Sequence, residues 1–422
     1  MQRCSRKIKK IRARQIFDSR GLPTLECSVT LECGITGVAA VPSGASTGKH
    51  EAHELRDGGE SFGGKSVTMA VEYVNTELDG LLHGADVSRQ YDIDYKMIEC
   101  DGTKNKSRLG ANAILGASLA AARAAALSYG LPLYEYIGGK NACVLPIPLV
   151  NILNGGAHAA NNLDIQEFMI FPHGAKNFSH AMRMSSEIFF ALKAILKEDD
   201  LSTSVGDEGG FAPNLASDEE ALTYIVRSIE RAGYEVGREV ALALDVAAAD
   251  WAKGSSYHLP KSKRVYKRDA LIDYFLGLAE KFPIVSIEDP LGEEDWKGFA
   301  ALTTQSKGRQ IVGDDLFVTN PERIKYGIEQ NCCNAVLIKP NQIGTLSETL
   351  EAIRIAKDNG YKTIISHRSG DTEDSFIADL AVATNSGQIK TGAPCRSERV
   401  CKYNRLLLIE KQLGKRGVYG LK

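Results

Sequence analysis

The sequence predicts an eight-stranded α/β barrel with a smaller N-terminal α+β domain, and three observations predict it. Short apolar runs alternate with helix-like stretches through the C-terminal part of the chain. That is the pattern of a parallel β/α barrel with a repeat of roughly 30 residues per unit. Second, successive runs end on charged or polar groups. Residues 241–244 end in Asp245, 283–287 in Glu288 and Asp289, 310–313 in Asp314 and Asp315, 335–338 in Lys339, 363–366 in His367, Arg368 and Ser369, and 388–389 in Lys390. In a barrel such strand ends share one mouth, where the chemistry sits. Third, 422 residues are enough for a full barrel and a second, smaller domain. Acids after strands also serve as helix caps, but acids, lysines and a His-Arg-Ser cluster at equivalent places exceed what capping explains.

The smaller domain, residues 1–141, reads first as an antiparallel meander. Residues 8–17 form one strand and the Asp18–Pro23 stretch a turn. Leu25, Cys27, Val29 and Leu31 then alternate with polar residues as in a half-buried strand. Residues 38–41 form the third strand. The segment Pro42-Ser43-Gly44-Ala45-Ser46-Thr47-Gly48 is small and polar, and reads as a lid over an anionic ligand or a metal. It lacks the lysine of a P-loop. Ser66 is placed to cap a helix carrying Val67, Ala70, Val71, Val74 and Leu78. Residues 112–127 form an alanine-rich helix stopped by Gly130 and Pro132. Gly138-Gly139-Lys140-Asn141 marks the boundary with the barrel domain, residues 142–422.

The barrel is expected to begin with a strand at 146–153, followed by the flexible loop Asn154-Gly155-Gly156-Ala157-His158 and a second strand at 166–172. Helices at 177–197 and 218–232 flank the acidic, glycine-rich loop Gly206-Asp207-Glu208-Gly209-Gly210-Phe211. Six further strands complete eight. Helices are expected at 268–281, 321–330, 344–359, 375–385 and 395–412.

The chain is 43% hydrophobic and 25% charged with a net charge of −2. This composition gives no bulk electrostatic reason for nucleic acid or an anionic membrane as partner. No apolar run is expected to approach the roughly 20 residues of a membrane span. The basic start has no apolar h-region, so it is not a secretory signal, and strand sequence from Ile8 leaves no room for a transit peptide. Nine scattered cysteines without a CxxC fit free thiols in a reducing cytosol, hence a cytoplasmic protein.

Asp245, Glu288 and Asp314 are hard oxygen ligands on successive strands, a set suited to Mg²⁺ and not to zinc. Lys339 can act as a base if neutral, and a nearby Mg²⁺ and Lys390 would lower its pKa. Glu167 and Glu208, if close, would raise each other's pKa and keep one protonated as a general acid. Arg368 and Ser369 suit a phosphate oxygen. Base, acid and metal together suggest proton abstraction beside a carboxylate and loss of a β-leaving group.

The chain also resembles the enolase family. The motifs that carry this are Asp18-Ser19-Arg20-Gly21, Ser43-Gly44-Ala45-Ser46-Thr47-Gly48, Gly110-Ala111-Asn112-Ala113-Ile114-Leu115-Gly116, Gln166-Glu167-Phe168-Met169, Gly206-Asp207-Glu208-Gly209-Gly210 and Ser286-Ile287-Glu288-Asp289. Gly313-Asp314-Asp315-Leu316, Ile338-Lys339-Pro340-Asn341-Gln342-Ile343-Gly344, Ser366-His367-Arg368-Ser369-Gly370 and Gln388-Ile389-Lys390-Thr391-Gly392 continue the series in family order. A lysine base beside one or two Mg²⁺ is the general pattern of the enolase superfamily, so the chemical reading and the resemblance are not independent.

The resemblance implies a ββαα(βα)₆ barrel whose second strand is antiparallel. It implies dehydration of 2-phosphoglycerate to phosphoenolpyruvate with two Mg²⁺ per site. Asp245, Glu288 and Asp314 would bind the first ion, and Ser46 would help bind the second. Lys339 would remove the C2 proton, and Glu208, supported by Glu167, would protonate the departing hydroxide. Lys390 and His367 would surround the substrate, Arg368 and Ser369 would hold its phosphate, His158 would lie on a closing loop and Gln166 beside the acid pair.

It also implies a homodimer, or an octamer built of dimers. Arg14 and Glu187 match one intersubunit ion pair. Glu26 matches half of another, whose usual arginine falls at Leu408, with Arg405 one turn away as a substitute. Pro340 after the base, the run Val246-Ala247-Ala248-Ala249-Asp250-Trp251, and Leu22 depart from the usual pattern. A scaffold in a multi-enzyme assembly, or a cell-surface adhesin docking plasminogen through Lys422, is the competing non-catalytic reading; a solvated tail accounts for Lys422 as well. A superfamily member acting on a phosphate-free acid is a third reading, opposed by the Arg368–Ser369 cluster and the Ser46 loop.

Overall fold

The computed structural model describes residues 5–44 and 48–420. Ser46 and Lys422 lie outside the described residues. The chain opens on the expected antiparallel meander of β1 (Ile8–Phe17), β2 (Pro23–Leu31) and β3 (Thr36–Ala40). The alternation in β2 puts Leu25, Cys27, Val29 and Leu31 into the core, as period-two geometry requires.

These strands pack on α2 (Ala111–Tyr129), which follows the shorter α1 (Thr68–Tyr73). The contact is close enough that a Cβ on Gly37 would lie 2.2 Å from the Ala124 backbone nitrogen. Ser66 does not cap α1. Its first amides are taken by Asp57, which accepts from Thr68 and Met69 at 2.8 and 2.9 Å. A carboxylate from an earlier loop thus supplies the anionic N-terminal partner that the sequence locates in a neighbouring hydroxyl. At 19 residues, α2 is long and apolar enough to cross a membrane, contrary to the expectation that no run approaches that length, but 83% of it is buried. It is a core helix.

The second layer is a closed eight-stranded barrel. Its strands are β4 (Ile147–Asn154), β5 (Glu167–Phe171), β6 (Ala241–Asp245), β7 (Ile284–Glu288), β8 (Gln310–Gly313), β9 (Ala335–Ile338), β10 (Lys362–Ser366) and β11 (Gly387–Lys390). Hydrophobic periodicity alone gives an all-parallel barrel, and this is corrected: β5 runs antiparallel to both β4 and β6. The reason is local. The link between β4 and β5, residues 155–166, holds one 3₁₀ turn, Gly156–His158, and no helix, whereas a parallel crossover is usually made by a helix. The two helices Phe178–Glu198 and Asp218–Arg231 then precede β6, giving the ββαα start that the family resemblance implies. The remaining pairings are parallel.

The helix Trp296–Gln305 was not expected from the sequence. It carries Gly298 and a Thr303-Thr304 pair, and it is capped by Asp295. Among the described residues seven cysteines are free, but Cys33 is disulfide-bonded, against the expectation of free thiols throughout. Cys33 sits in the turn between β2 and β3, where a scan for CxxC spacing has nothing to detect.

The two layers are joined by buried polar contacts. Asp94 accepts from the Ser347 amide at 2.9 Å, and Asp374 accepts from the Ala40 amide at 2.9 Å while paired with Arg123. Gly138, closing the helix Leu133–Gly138, lies so close to the barrel helix Phe376–Ala383 that a Cβ there would be 1.9 Å from the Ala383 carbonyl oxygen. Backbone cannot yield as a side chain can. Gly138→Ala is therefore expected to lower unfolding free energy by about 1–3 kcal/mol, measured by urea titration; unchanged stability would show that the helices separate without cost.

Candidate active site

Strand register brings the first acids together. Glu167 pairs with Asp245, and Asp245 with Glu288, across β5, β6 and β7. The three carboxylates therefore stand side by side at one end of the barrel. Asp314 follows β8 and Lys339 follows β9. Lys339 is extended, with φ −123° and ψ 102°, as expected for a residue before proline. Pro340 opens the turn Pro340–Ile343 at a position whose N–H has no helical partner, so the missing donor costs nothing there. The Lys339 amide donates to Thr319 Oγ1 at 2.9 Å.

Lys390 ends β11, on the opposite side of the barrel from β7. Its ammonium reaches across the mouth to Asp245 at 2.6 Å, Glu288 at 2.8 Å and Glu167 at 3.2 Å. Burial pulls its pKa down, but these carboxylates outweigh burial and hold it well above the ordinary lysine value. Asp245 carries the charge that answers it. Burial pushes Asp245 up, yet Lys390 brings it below the usual carboxylate range. Gln166 Nε2 lies 3.5 Å from the same Asp245 oxygen. Lys339 is ion-paired to Asp314. Burial and the Arg368 and Lys390 charges lower the Lys339 pKa, but Asp314 raises it above the ordinary value. Lys390 acts in the direction expected from sequence, but the contact with Asp314, which the sequence did not show, outweighs it.

Glu167 and Glu208 do form a pair, and their environments separate them. Burial and the Glu208 charge raise the Glu167 pKa well above normal, and Glu167 Oε2 has no hydrogen-bond partner. Glu208, on the loop after the first barrel helix, is also buried, but His367 and His158 bring it well below normal. Asn151 donates to Glu208 Oε2 at 3.2 Å, and His367 Nε2 lies 3.4 Å from the same oxygen. His158 Nδ1 is 3.8 Å from Glu208 and 3.9 Å from Glu167. The mutual raising expected from sequence thus appears on Glu167 alone, and Glu208 is shifted the other way.

The anion-binding end lies on the β10 loop. Arg368 and Ser369 are both buried there. The Arg368 guanidinium is engaged by Glu51 at 2.9 and 3.2 Å and lies 3.2 Å from Asn341 Oδ1. Glu51 comes from the smaller domain, just past the lid loop, and was not singled out in the sequence. Its carboxylate occupies the guanidinium face that suits a phosphate. The loop's leading edge is tied to the barrel by the Ser43–Gly370 backbone pair, at 2.7 and 2.9 Å.

Hard cations fit this donor set. Beside Asp314, Asp289 and Asp315 bring carboxylate oxygens within 4.8 Å of one another. Asp289 also accepts the backbone amides of Asp314 and Asp315 at 2.9 and 2.7 Å. Glu288 is raised well above normal by burial and Asp245, despite Lys390, and one of its oxygens is buried without a partner. Burial and Asp314 raise Asp315 to about 8. The mouth therefore holds more buried carboxylate than its lysines neutralise, which is the deficit an oxygen-liganded divalent ion fills. The expected trio of Asp245, Glu288 and Asp314 does converge on the mouth, with Lys390 and Lys339 lying between its members.

A barrel whose mouth sets a lysine opposite a pair of buried carboxylates, over an acidic cluster, is an arrangement suited to a carbon–oxygen lyase. The comparisons narrow the class. The family model described as enolase, C-terminal TIM barrel domain, matches residues 142–422, and that of the enolase N-terminal domain matches residues 8–137. The chain is 58% identical over 407 residues to an enolase of Natranaerobius thermophilus, covering 96% of this chain and 95% of that one. The chain belongs to the enolase family, whose members are hydro-lyases.

Acids held above their ordinary pKa must release protons when a cation takes them. Adding Mg²⁺ is expected to release protons, and Mg²⁺ affinity is expected to rise between about pH 6.5 and about pH 8.5. Calorimetry in two buffers of different ionisation enthalpy measures this; no difference between buffers would contradict the assignment.

Proposed function

We propose that the chain catalyses the Mg²⁺-dependent, reversible dehydration of 2-phospho-D-glycerate to phosphoenolpyruvate, the enolase step of glycolysis and gluconeogenesis. Residues 1–141 serve as the lid-bearing domain and 142–422 as the catalytic barrel. The observation that carries the proposal is the placement of base and acid on opposite walls. Lys339 follows β9 and Glu167 begins β5, across the barrel from each other. A substrate between them loses a C2 proton on one side and its C3 hydroxyl on the other.

Asp245, Glu288 and Asp314 would hold one Mg²⁺, with Ser46 assigned to a second, and the bound metal would supply positive charge toward the substrate carboxylate and phosphate. Arg368 and Ser369 receive the phosphate, displacing Glu51 from the guanidinium. Once Asp314 no longer holds Lys339, burial and the flanking Arg368 and Lys390 cations favour the neutral amine, which takes the C2 proton. Glu208, resupplied from Glu167, protonates the leaving hydroxide, with His158, Gln166 and His367 enclosing that end. Lys390 offsets the enolate charge. We assign the protein to the cytoplasm, as a homodimer or an octamer of dimers. Within one chain, Arg14 pairs with Glu26 at 2.8 Å and Arg405 with Asp379 at 2.6 Å.

The test is the ultraviolet rise of phosphoenolpyruvate from 2-phosphoglycerate, with Mg²⁺ and after excess EDTA. Turnover is expected with the metal and its loss with the chelator. Lys339→Ala is expected to lower kcat by about 10²–10⁴-fold. Turnover that survives EDTA, or a near-normal Lys339→Ala enzyme, would refute the mechanism.

A further inference from the structure

Arg399, on the C-terminal helix Ser397–Leu413, is fully buried, and nothing in the mechanism above uses it. Its terminal nitrogens are all committed. Nη1 faces His367 Nδ1 at 2.7 Å and donates to the Arg368 carbonyl. Nη2 donates to the Ser369 carbonyl at 2.6 Å and the Asp207 carbonyl at 3.2 Å. A guanidinium has donors only. The His367 Nδ1 facing it must therefore be an acceptor, and the ring's proton must sit on Nε2. That nitrogen is buried, has no hydrogen-bond partner, and lies 3.4 Å from Glu208 Oε2.

The space for Arg399 is built into the chain. A Cβ on Gly392 would lie 2.9 Å from Arg399 Cδ, and Gly392 has φ +85°, a conformation glycine tolerates.

We propose that Arg399 is a positioning residue for the lyase reaction, fixing His367 as the neutral Nε2–H tautomer so that its one proton is aimed at Glu208. The proposal rests on the functional reading above. Imidazolium is disfavoured because its Nδ1–H would point at a cation. The charged groups facing the ring are Arg399 from the C-terminal helix, Glu208 from its loop, and Asp371 from the β10 loop. Asp371 is held by Lys402 at 2.7 Å and lies 3.9 Å from Arg399 Nη1. Burial and Arg399 outweigh the two acids and bring the His367 pKa down to about 4. At neutral pH the ring therefore turns its Nε2–H toward Glu208 Oε2, 3.4 Å away, without carrying charge. By holding Asp207 as well, the same guanidinium fixes the Glu208 loop against the histidine it serves.

The experiment is nitrogen-15 NMR of the histidine rings in the full-length, metal-free protein, from about pH 5.5 to about pH 8. The parent is expected to show His367 as Nε2–H throughout. In Arg399→Met, His367 is expected to mix tautomers and titrate near its ordinary value of roughly 6.5. The pH profile of kcat should then gain an acid limb, with a loss of about 10²-fold below that pH and little change in KM. Arg399→Lys, which keeps the charge and a donor, should retain the parental tautomer in part. An Nδ1–H ring or an imidazolium in the parent at neutral pH would overturn the proposal, even if Arg399→Met fails to fold. So would a folded Arg399→Met with an unchanged tautomer and pH profile. A parent without 2-phosphoglycerate turnover but with the Nε2–H ring would overturn the functional reading and leave the tautomer assignment standing.

Discussion

The Lys390 ammonium is the contact on which the rest of the site depends. It crosses the barrel mouth from β11 to Asp245, Glu288 and Glu167, and is 2% exposed. A buried carboxylate without a counter-charge costs several kcal/mol or takes up a proton. One cation shared by three acids decides how that cost is distributed. Asp245 lies nearest and stays ionised, whereas Glu288 and Glu167 are held above their ordinary values. The result is a site with one firmly ionised ligand, acids that a divalent ion can deprotonate, and a carboxyl that keeps a proton.

Barrel geometry makes this possible. The acids of β5, β6 and β7 are in register, and a lysine from the far wall is long enough to reach them. A shorter residue at 390, or one placed on an adjacent strand, would satisfy one carboxylate and leave the others unpaired. Lys339 repeats the arrangement on a smaller scale with Asp314. Each lysine therefore places positive charge among groups suited to bind a cation.

The strand ends were legible in the sequence because a buried strand writes an apolar run and then breaks it at the mouth. That pattern located Asp245, Glu288, Asp314, Lys339, His367, Arg368 and Lys390. The reversed β5 was not legible from periodicity, since an apolar run has no direction; only the absence of a helical pattern between β4 and β5 could have suggested it. Groups that act through distant partners were also hidden. Glu51 lies in the smaller domain and pairs with Arg368, 317 positions away. Arg399 looks like one more charged residue on a helix, and its role appears only when His367, 32 positions earlier, is folded against it. Asp57 replaces Ser66 at a helix start for the same reason: the partner is near in space and distant along the chain.

The split between Glu167 and Glu208 shows how hydrogen bonding overrides mutual repulsion. Two buried carboxylates of equal surroundings would share a proton without preference. Here Glu208 has the larger share of donors and nearby cations. Asn151 donates to Glu208, the Nε2–H of His367 points toward it, and Arg399 adds its charge behind the ring. Glu167 has Lys390 on one oxygen and nothing on the other. A proton placed between them therefore settles on Glu167, and Glu208 stays ionised until its surroundings change. In the proposed reaction a leaving hydroxide beside Glu208 would be such a change, because it is a stronger base than the Glu167 carboxylate. The unequal pair thus acts as a one-proton reserve behind a charged, well-held group, and the donors that maintain the inequality come from β4, the β10 loop and the C-terminal helix, three parts of the chain that meet only when the barrel closes.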